Sequence, residues 1–126
     1  MKAWVDGSTT RIAYVLSEGG CTPFSHKVIP LAGKATGNEG EYFAVIALLS
    51  LEDLQKASLE IYSDSQLIVN QLTPHPTKLG RMVYRVKEPR LKRLNCKVRK
   101  LIEEKAIDVS FRWLPREENL AGYLLE

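Results

Sequence analysis

The chain has 126 residues, of which 44% are hydrophobic and 26% charged, and its formal net charge is +3. This length predicts one domain with a single core, and the composition is typical of a soluble globular protein. No apolar run approaches the roughly 20 residues that a membrane helix needs, and the first residues read directly as a strand, which leaves no room for a signal peptide. Cys21 and Cys96 are too few and too far apart to predict a disulfide framework or a zinc site, so we expect a cytoplasmic location.

Charge is distributed unevenly along the chain. Eleven basic and three acidic residues lie between Lys78 and Lys105, whereas the remainder holds seven basic and twelve acidic residues. A basic segment attached to an acidic remainder suits a protein that binds a polyanion and performs metal chemistry on it. The alternative is a helix whose lysine-rich face is only solvated.

The first part of the chain predicts a meander of short strands followed by a helix. Three segments rich in β-forming residues are separated by turn residues, namely Lys2–Asp6, Arg11–Leu16 and Phe24–Ile29, with one turn at Glu18–Gly20. After a glycine-bearing loop, apolar residues recur at helical spacing and predict a helix from Asn38 to Leu51. Glu41 falls in the first turn of this helix, where the helix dipole alone would favour an acid.

The second part predicts alternating strands and helices. A strand at Leu59–Tyr62 leads into a short helix at Gln66–Leu72, and prolines then break the chain. Apolar residues return at helical intervals from Met82 to Glu104, with Pro89 at the start or at a kink of the main helix. A fifth strand follows at Ile107–Trp113, and Asn119 begins a last short helix. The predicted order is β-β-β-α-β-α-α-β-α.

Three acids occupy informative places in this order. Asp6 lies on the first strand, Glu41 on the first helix, and Asp64 where the fourth strand passes into a helix. If the first and fourth strands are neighbours, Asp6 and Asp64 can lie side by side, with Glu41 brought over them by its helix. Grouped carboxylates repel one another unless protons or cations intervene, and oxygen ligands favour Mg²⁺ or Mn²⁺. The simpler interpretation of Asp64 is that it only caps the N-terminus of the following helix.

Four segments, in order, resemble the successive motifs of ribonuclease HI: Asp6-Gly7-Ser8, Asn38-Glu39-Gly40-Glu41-Tyr42, the run from Ser63 to Leu72, and Trp113-Leu114-Pro115-Arg116-Glu117-Glu118-Asn119. The resemblance covers essentially the whole chain. It implies an α/β ribonuclease H-like fold over residues 1–126, with a five-stranded mixed sheet of three antiparallel and then two parallel strands flanked by helices. It also implies cleavage of the RNA strand of RNA–DNA hybrids by two Mg²⁺ or Mn²⁺ ions, leaving 3′-hydroxyl and 5′-phosphate ends.

The resemblance further implies roles for individual residues. Asp6, Glu41 and Asp64 fall on three of the four metal-binding carboxylates of the family. Asn38 and Gln66 fall where the family reads the minor groove of the hybrid, although helix capping is the simpler interpretation of both. The remaining positions expected to contact nucleic acid are Gly7, Ser8, Thr36, Arg116 and, on the cationic helix, Lys92, Arg93 and Lys97.

The fourth carboxylate of the family is missing. It normally starts the final helix before a Leu-Ala pair, and here Asn119 precedes Leu120-Ala121. We expect the Asn119 amide oxygen to act as the fourth ligand, since an amide oxygen can coordinate a hard cation. An alignment on the loop asparagine leads instead to Tyr123, and Glu118 is a further candidate.

Two other functions compete with that of an active hydrolase. One is a non-catalytic or weakly active hybrid-binding module that has lost a metal ligand, and the other is a resolvase or proofreading exonuclease of the same superfold. The three intact acids disfavour the first, and Asn38 and Gln66 disfavour the second. The only partner expected is an RNA–DNA hybrid, with no membrane and no protein partner, and the chain is expected to act as a monomer.

Overall fold

The computed structural model describes residues 1–19 and 24–126, so Gly20 of one predicted turn and Cys21 lie outside the described residues. The strands are β1 (Lys2–Gly7), β2 (Arg11–Ser17), β3 (Ser25–Pro30), β4 (Ser58–Ser63), β5 (His75–Pro76), β6 (Met82–Val83) and β7 (Asp108–Trp113). The helices are α1 (Gly37–Leu49), α2 (Gln66–Leu72), α3 (Pro89–Glu104) and α4 (Leu120–Leu124). Among these elements, no helix is long and apolar enough to cross a membrane.

Five strands form one mixed sheet in the order β3-β2-β1-β4-β7. The β1–β2 and β2–β3 pairs are antiparallel, whereas β1–β4 and β4–β7 are parallel. This topology confirms the predicted fold class. It also makes the first and fourth strands neighbours, which is the condition on which the proximity of Asp6 and Asp64 depended. Because β1, β4 and β7 run in the same direction, their carboxyl ends share one edge of the sheet, where open α/β sheets bind ligands.

The main core lies on the sheet face that packs against α1 and α3. Alternate strand residues such as Val5 and Ile61 point into it and meet Val45 of α1 and Val98 of α3, all fully buried. This alternation follows from the two-residue period of a strand. The opposite face carries the short helix α4, whose Ala121 is buried against β2. The sheet is therefore held between two long helices on one side and one short helix on the other.

A buried hydrogen-bond network joins α1, α2 and α3. The Tyr42 hydroxyl donates to the Gln71 side-chain oxygen at 2.7 Å, and the Asn95 amide donates to the Tyr42 hydroxyl at 3.1 Å and to the Gln71 carbonyl at 2.8 Å. Buried polar groups that are fully satisfied in this way specify one arrangement of the elements that carry them. The network therefore fixes the position of α1, and with it that of Glu41.

The structure differs from the sequence predictions between α2 and α3. The helical spacing from Met82 onwards does not produce helix there, because Met82–Val83 pairs antiparallel with His75–Pro76 as a two-stranded ribbon. Helix α3 begins at Pro89, a position that suits proline because its missing N–H would have no partner in the first turn. Helix α1 ends at Leu49 rather than Leu51.

Candidate active site

The pairing of β1 with β4 brings Asp6 and Asp64 together. Trp4 lies opposite Tyr62 in the parallel register, and their rings stack with centroids 5.8 Å apart. Since alternate residues of a strand share a face, the acids two positions later project from the same side at the carboxyl ends of the strands. The predicted proximity of these two residues thus follows directly from the strand register.

Glu41 reaches the same place because two glycines let α1 approach β1 closely. A Cβ atom on Gly7 would lie 2.1 Å from the carbonyl oxygen of Gly40, and one on Gly40 would lie 2.0 Å from the carbonyl oxygen of Ser8. Both separations are far below van der Waals contact, so only glycine fits at either position. This direct contact between the two backbones places Glu41, the residue after Gly40, over the end of β1.

The three acids form one cluster whose ligating oxygens all lie within 4.8 Å of one another. Glu41 is only 9% exposed, and its Oε2 atom has no hydrogen-bond partner among the described residues. Burial, together with the nearby carboxyl groups of Asp6 and Asp64, raises the pKa of Glu41 to about 9. Burial also raises the pKa of Asp6. Both shifts show that the surroundings do not balance three ionised carboxyl groups at this spacing.

This arrangement fits a divalent cation. A buried carboxylate oxygen without a partner needs either a proton or a cation, because burying a bare charge is costly. Carboxylate oxygens are the ligands that Mg²⁺ and Mn²⁺ prefer. The acids open into a cleft of about 300 Å³ that is also lined by Gly7, Ser8, Arg116, Gly122, Leu125 and Glu126. Metal coordination at this cluster is therefore chemically reasonable.

Asn119 takes a different role from the fourth ligand that we expected. It is fully buried, its side-chain amide donates to the Val5 carbonyl at 2.9 Å, and its side-chain oxygen accepts from the Ala121 N–H at 3.1 Å. Both ends of the amide are thus engaged, one in binding β1 and the other in capping α4. This arrangement does not support coordination, and we propose instead that Asn119 fixes α4 to the sheet.

The alternative fourth ligands do not line the cleft either. Glu118 lies exposed in a short 3₁₀ turn, and the Tyr123 hydroxyl donates to the Glu117 carbonyl at 2.6 Å. The residue of α4 that faces the cluster is Gly122, where a Cβ atom would lie 3.5 Å from Asp6 Oδ2. Leu125 and Glu126, just beyond the end of α4, line the cleft together with Gly122.

Asp64 does not cap α2. The cap is Ser65, whose hydroxyl accepts from the Ile68 N–H at 3.2 Å, so the Asp64 carboxyl group remains available to the cluster. The Trp113 indole N–H donates to the Asp64 carbonyl at 3.0 Å. Trp113 was not predicted as a site residue, although a large aromatic residue at the end of a strand beside the acids was a usable signal.

Of the candidate nucleic-acid contacts, Gly7, Ser8 and Arg116 line the cleft, whereas Thr36, Asn38 and Gln66 lie at the starts of the two helices that follow or carry its acids. Thr36 caps α1 by accepting from the Glu39 N–H at 3.1 Å, which leaves Asn38 exposed in the first turn. Gln66 is exposed at the start of α2 and, like Asn38, does not serve as the cap. The Ser8 hydroxyl accepts from the Arg11 N–H at 3.1 Å and thereby stabilises the β1–β2 turn. Among the residues that the structure describes, the side-chain amides of Asn38 and Gln66 have no hydrogen-bond partner, so both can meet a ligand.

Helix α3 presents its basic side chains to solvent. Leu91, Asn95 and Val98 are buried, whereas the exposed face carries Arg90, Lys92, Arg93, Lys97 and Lys100. Arg90 lies 3.9 Å from Glu39 of α1, which connects the start of the basic face to the helix that carries Thr36 and Asn38. The basic face of α3 therefore begins beside the first turn of α1.

Arg116 brings a positive charge to the cleft itself. It lines the cleft with the three acids, and its guanidinium charge acts to lower the pKa of Asp6 against the larger effect of burial. Its side chain is exposed and can therefore meet an anionic ligand as well as the carboxyl groups.

Comparison with known proteins gives a consistent result. The sequence profile of the family described as RNase H matches residues 1–118. Among curated protein sequences, none matches the chain significantly.

Several solved structures are similar to this chain over nearly its whole length. LC11-RNase H1 in complex with an RNA/DNA hybrid is 29% identical with a TM-score of 0.77, and the match covers 98% of this chain and 91% of that one. RNase H1 from the archaeon Halobacterium salinarum is 28% identical with a TM-score of 0.71, covering 98% and 92%. The N-terminal RNase H domain of a Mycobacterium tuberculosis protein is 26% identical with a TM-score of 0.70, covering 98% and 88%.

Proposed function

The chain belongs to the RNase H family, and on that premise we propose that it is an endoribonuclease that cleaves the RNA strand of RNA–DNA hybrids. The observation that carries this proposal is the cluster of Asp6, Glu41 and Asp64, with its buried and unpartnered carboxylate oxygen. The similarity to LC11-RNase H1, which was solved with a bound hybrid, supports the choice of substrate. We propose that residues 1–126 act as one domain and as a monomer.

Asp6, Glu41 and Asp64 would hold two divalent ions, Mg²⁺ or Mn²⁺. Such ions supply the activation of a water molecule and the stabilisation of charge on the leaving oxygen. Water attacks the phosphorus atom and the bond from phosphorus to the 3′-oxygen breaks, which leaves a 3′-hydroxyl on one fragment and a 5′-phosphate on the other. Hydrolysis of a phosphodiester needs no other reactant.

The protein's own residues prepare the cleft for this reaction. The raised pKa of Glu41 favours its protonated form at neutral pH without metal, so metal binding there would compete with a proton. Arg116 places a positive charge at the cleft, where it can attract the scissile phosphate and balance part of its charge. The close contact of Gly7 with Gly40 keeps Glu41 in place without a flexible side chain between the two elements.

The exposed amides and the basic helix would select the substrate. An amide can donate to, or accept from, a ribose 2′-hydroxyl, which is the group that distinguishes RNA from DNA. Asn38 and Gln66 would take this role on the RNA strand, Thr36 would help to hold a phosphate of the DNA strand, and Gly7 and Ser8 would contact the hybrid at the cleft. Lys92, Arg93 and Lys97 of α3 would neutralise phosphates of the duplex.

One observation favours a weaker variant of the same function. Because Asn119 is engaged as a cap and a strand contact, α4 provides no fourth ligand at that position. A site with three carboxylates attracts a second divalent ion less strongly than a site with four. The second candidate is therefore a hybrid-binding module with low activity, which would need more metal for a measurable rate.

The test compares labelled RNA–DNA hybrid, duplex RNA and duplex DNA, each with Mg²⁺, Mn²⁺ or EDTA. We expect cleavage of the RNA strand of the hybrid alone, with 3′-hydroxyl and 5′-phosphate ends, and no cleavage in EDTA. Asp64→Asn should lower the cleavage rate about 10²-fold or more, which is the usual effect of removing one group that stabilises charge in a transition state. Binding of the hybrid should persist. Full activity of Asp64→Asn would contradict the metal mechanism, and binding without cleavage at any metal concentration would favour the second candidate.

A further inference from the structure

Strand β7 leaves one edge of the sheet unpaired. It is the last strand in the order β3-β2-β1-β4-β7, so its backbone bonds to β4 on one side only. The N–H groups of Asp108 and Leu114 donate toward β4, and by alternation the backbone groups of Val109 and Phe111 point away from it. Among the described residues, these outward N–H and C=O groups have no partner. Unpaired backbone groups of this kind are a template for another strand.

A groove runs along this free edge on the side of α3. Its volume is about 660 Å³, and it is lined by the run Ile107–Phe111 and by Ile102 of α3. Ile102, Val109 and Phe111 pack against the main core, yet each of them is only half-buried. An extended strand laid against β7 would therefore gain backbone hydrogen bonds and cover apolar surface at the same time.

The opposite edge strand, β3, has features that discourage such pairing. It carries Lys27 and ends at Pro30, and natural sheets use lysine and proline to keep an edge unpaired. Neither residue type occurs in β7. The two edges of the sheet are therefore not equivalent, and β7 is the edge that is suited to pairing.

The sequence of β7 is complementary to itself when two copies run antiparallel. In a register centred on Ser110, Asp108 lies opposite Arg112 of the second copy, and Val109 lies opposite Phe111 of the second copy. Val109 and Phe111 then form hydrogen-bonded pairs, because their backbone groups are the free ones. The charged residues form the non-hydrogen-bonded pairs, in which side chains lie closer together. Two-fold symmetry makes each of these contacts twice.

Both charged side chains are available for that contact. Asp108 and Arg112 are exposed, and neither forms an ion pair with any residue that the structure describes. On the neighbouring strand, Glu60 accepts from the Tyr62 hydroxyl at 2.7 Å rather than from Arg112. Opposite charges directly across a strand pair stabilise it, whereas like charges destabilise it. The charges of β7 therefore favour one antiparallel register.

We propose that β7 is a self-association edge, through which two copies of this chain pair antiparallel and join their five-stranded sheets into one. The inference goes beyond the proposed function and leaves one chain as the catalytic unit, because every residue of the cleft comes from one chain. Antiparallel pairing places the two acid clusters beyond opposite ends of the paired strands. Activity per chain should therefore not change on pairing.

The contact is small, so pairing should depend on concentration. Strand β7 contributes six residues, whereas a standard stable interface uses about 20–30 residues a side. We therefore expect single chains in dilute solution and dimers in concentrated solution. Sedimentation velocity of the full chain from about 1 μM to about 1 mM measures a dissociation constant in that range. A wild-type chain that stays monomeric throughout would overturn the proposal.

Charge reversal tests the register. Asp108→Arg and Arg112→Asp each place like charges opposite one another twice in the dimer, so each should raise the dissociation constant about tenfold or more. A mixture of the two variants restores opposite charges at both contacts and should associate as tightly as the wild type. The double variant Asp108→Arg/Arg112→Asp should do so alone. If both single variants associate like the wild type, the dimer uses another surface and the proposal fails.

Two further measurements separate pairing from a change in net charge or in folding. Lys27→Asp reverses a charge on β3 and should leave the dissociation constant unchanged. Amide hydrogen exchange should slow at Val109 and Phe111 as the wild type is concentrated, whereas Ser110, whose N–H faces β4, should change little. Protection that appears elsewhere but not at Val109 and Phe111 would contradict the pairing. Rescue in the mixture shows that both single variants are folded, and none of these measurements requires nuclease activity.

Discussion

At the scale of single residues, the buried carboxyl group of Glu41 makes the stability of the metal-free protein depend on pH. Its pKa is about 9 in the folded protein, against roughly 4.3 in an unfolded chain. Between these values the folded protein retains a proton that the unfolded chain has released. The free energy of unfolding should therefore fall as pH rises from about 5 to 9, by a few kcal/mol in total.

Denaturant unfolding in EDTA at several pH values measures this slope. Glu41→Gln is the matched control, because it retains the shape of the side chain without a titrating group, and its stability should vary less over the same range. Mg²⁺ should stabilise the wild type most at the alkaline end, where the carboxylate is free of its proton. An equal slope in Glu41→Gln would assign the pH dependence to other groups.

Asn119 is expected to affect stability rather than metal binding. Asn119→Ala removes the cap of α4 and leaves the buried Val5 carbonyl without its donor, so unfolding should become easier by about 2–3 kcal/mol. Mg²⁺ affinity of the folded protein, measured by calorimetry below the unfolding temperature, should remain within about twofold of the wild type. A large drop in Mg²⁺ affinity would restore the coordination role that its position in the sequence indicates.

The sequence alone does not reveal the role of a residue whose partners lie far from it in the chain. Asp6, Glu41 and Asp64 could be selected because their types and their places in the chain order point to one chemistry. The role of Asn119 depends on the Val5 carbonyl, which is remote in sequence, so its motif position suggested a ligand. Trp113 looked like a core residue at the end of an alternating strand, and only the structure shows that it is exposed and donates a hydrogen bond to the Asp64 carbonyl.

At the scale of secondary-structure elements, the contact between β1 and α1 can be tested with a pair of glycines. Gly40→Ala should separate the elements, because its Cβ atom would collide with the Ser8 carbonyl. We expect destabilisation of about 1–3 kcal/mol and weaker Mg²⁺ binding. Gly37→Ala in the same helix is the control, since nothing lies within 4 Å of its Cβ position.

The two glycine variants should have opposite effects on stability. Alanine favours helix over glycine by up to about 1 kcal/mol, so Gly37→Ala should be neutral or stabilising and should leave Mg²⁺ affinity unchanged. Thermal unfolding and calorimetric titration of both variants provide the comparison. If Gly40→Ala behaves like Gly37→Ala, close backbone contact is not what holds Glu41 over the strands.

Most element boundaries could be predicted, since alternation and helical spacing are local properties of the sequence. The exception was the ribbon formed by His75–Pro76 and Met82–Val83. Two-residue strands have no detectable period, and one of these contains a proline, which disfavours strands. The apolar residues before Pro89 also fitted a helical spacing by chance, and the proline decided where α3 begins.

At the scale of the whole molecule, the uneven charge predicts a salt-dependent affinity for nucleic acid. Replacement of Lys92, Arg93, Lys97 and Lys100 by glutamine should weaken hybrid binding and flatten the plot of log affinity against log salt concentration. Each phosphate that the variant no longer neutralises should reduce the slope by about 0.7–0.9. Lys27→Gln on the edge strand β3 is the control for a change in net charge alone, and an unchanged slope in the fourfold variant would mean that α3 is only solvated.

The parallel pairing of β1 with β4 has a consequence for how the protein is synthesised. Asp6 and Glu41 are synthesised before β4. The nascent chain can therefore form the β1–β2–β3 meander before Asp64 has been added. The side chain that binds the Val5 carbonyl is added later still, with Asn119. The three acids are therefore incomplete until Asp64 has been synthesised. Arg116 of the cleft and the hydrogen bond that anchors α4 to β1 are added only when synthesis has passed residue 119.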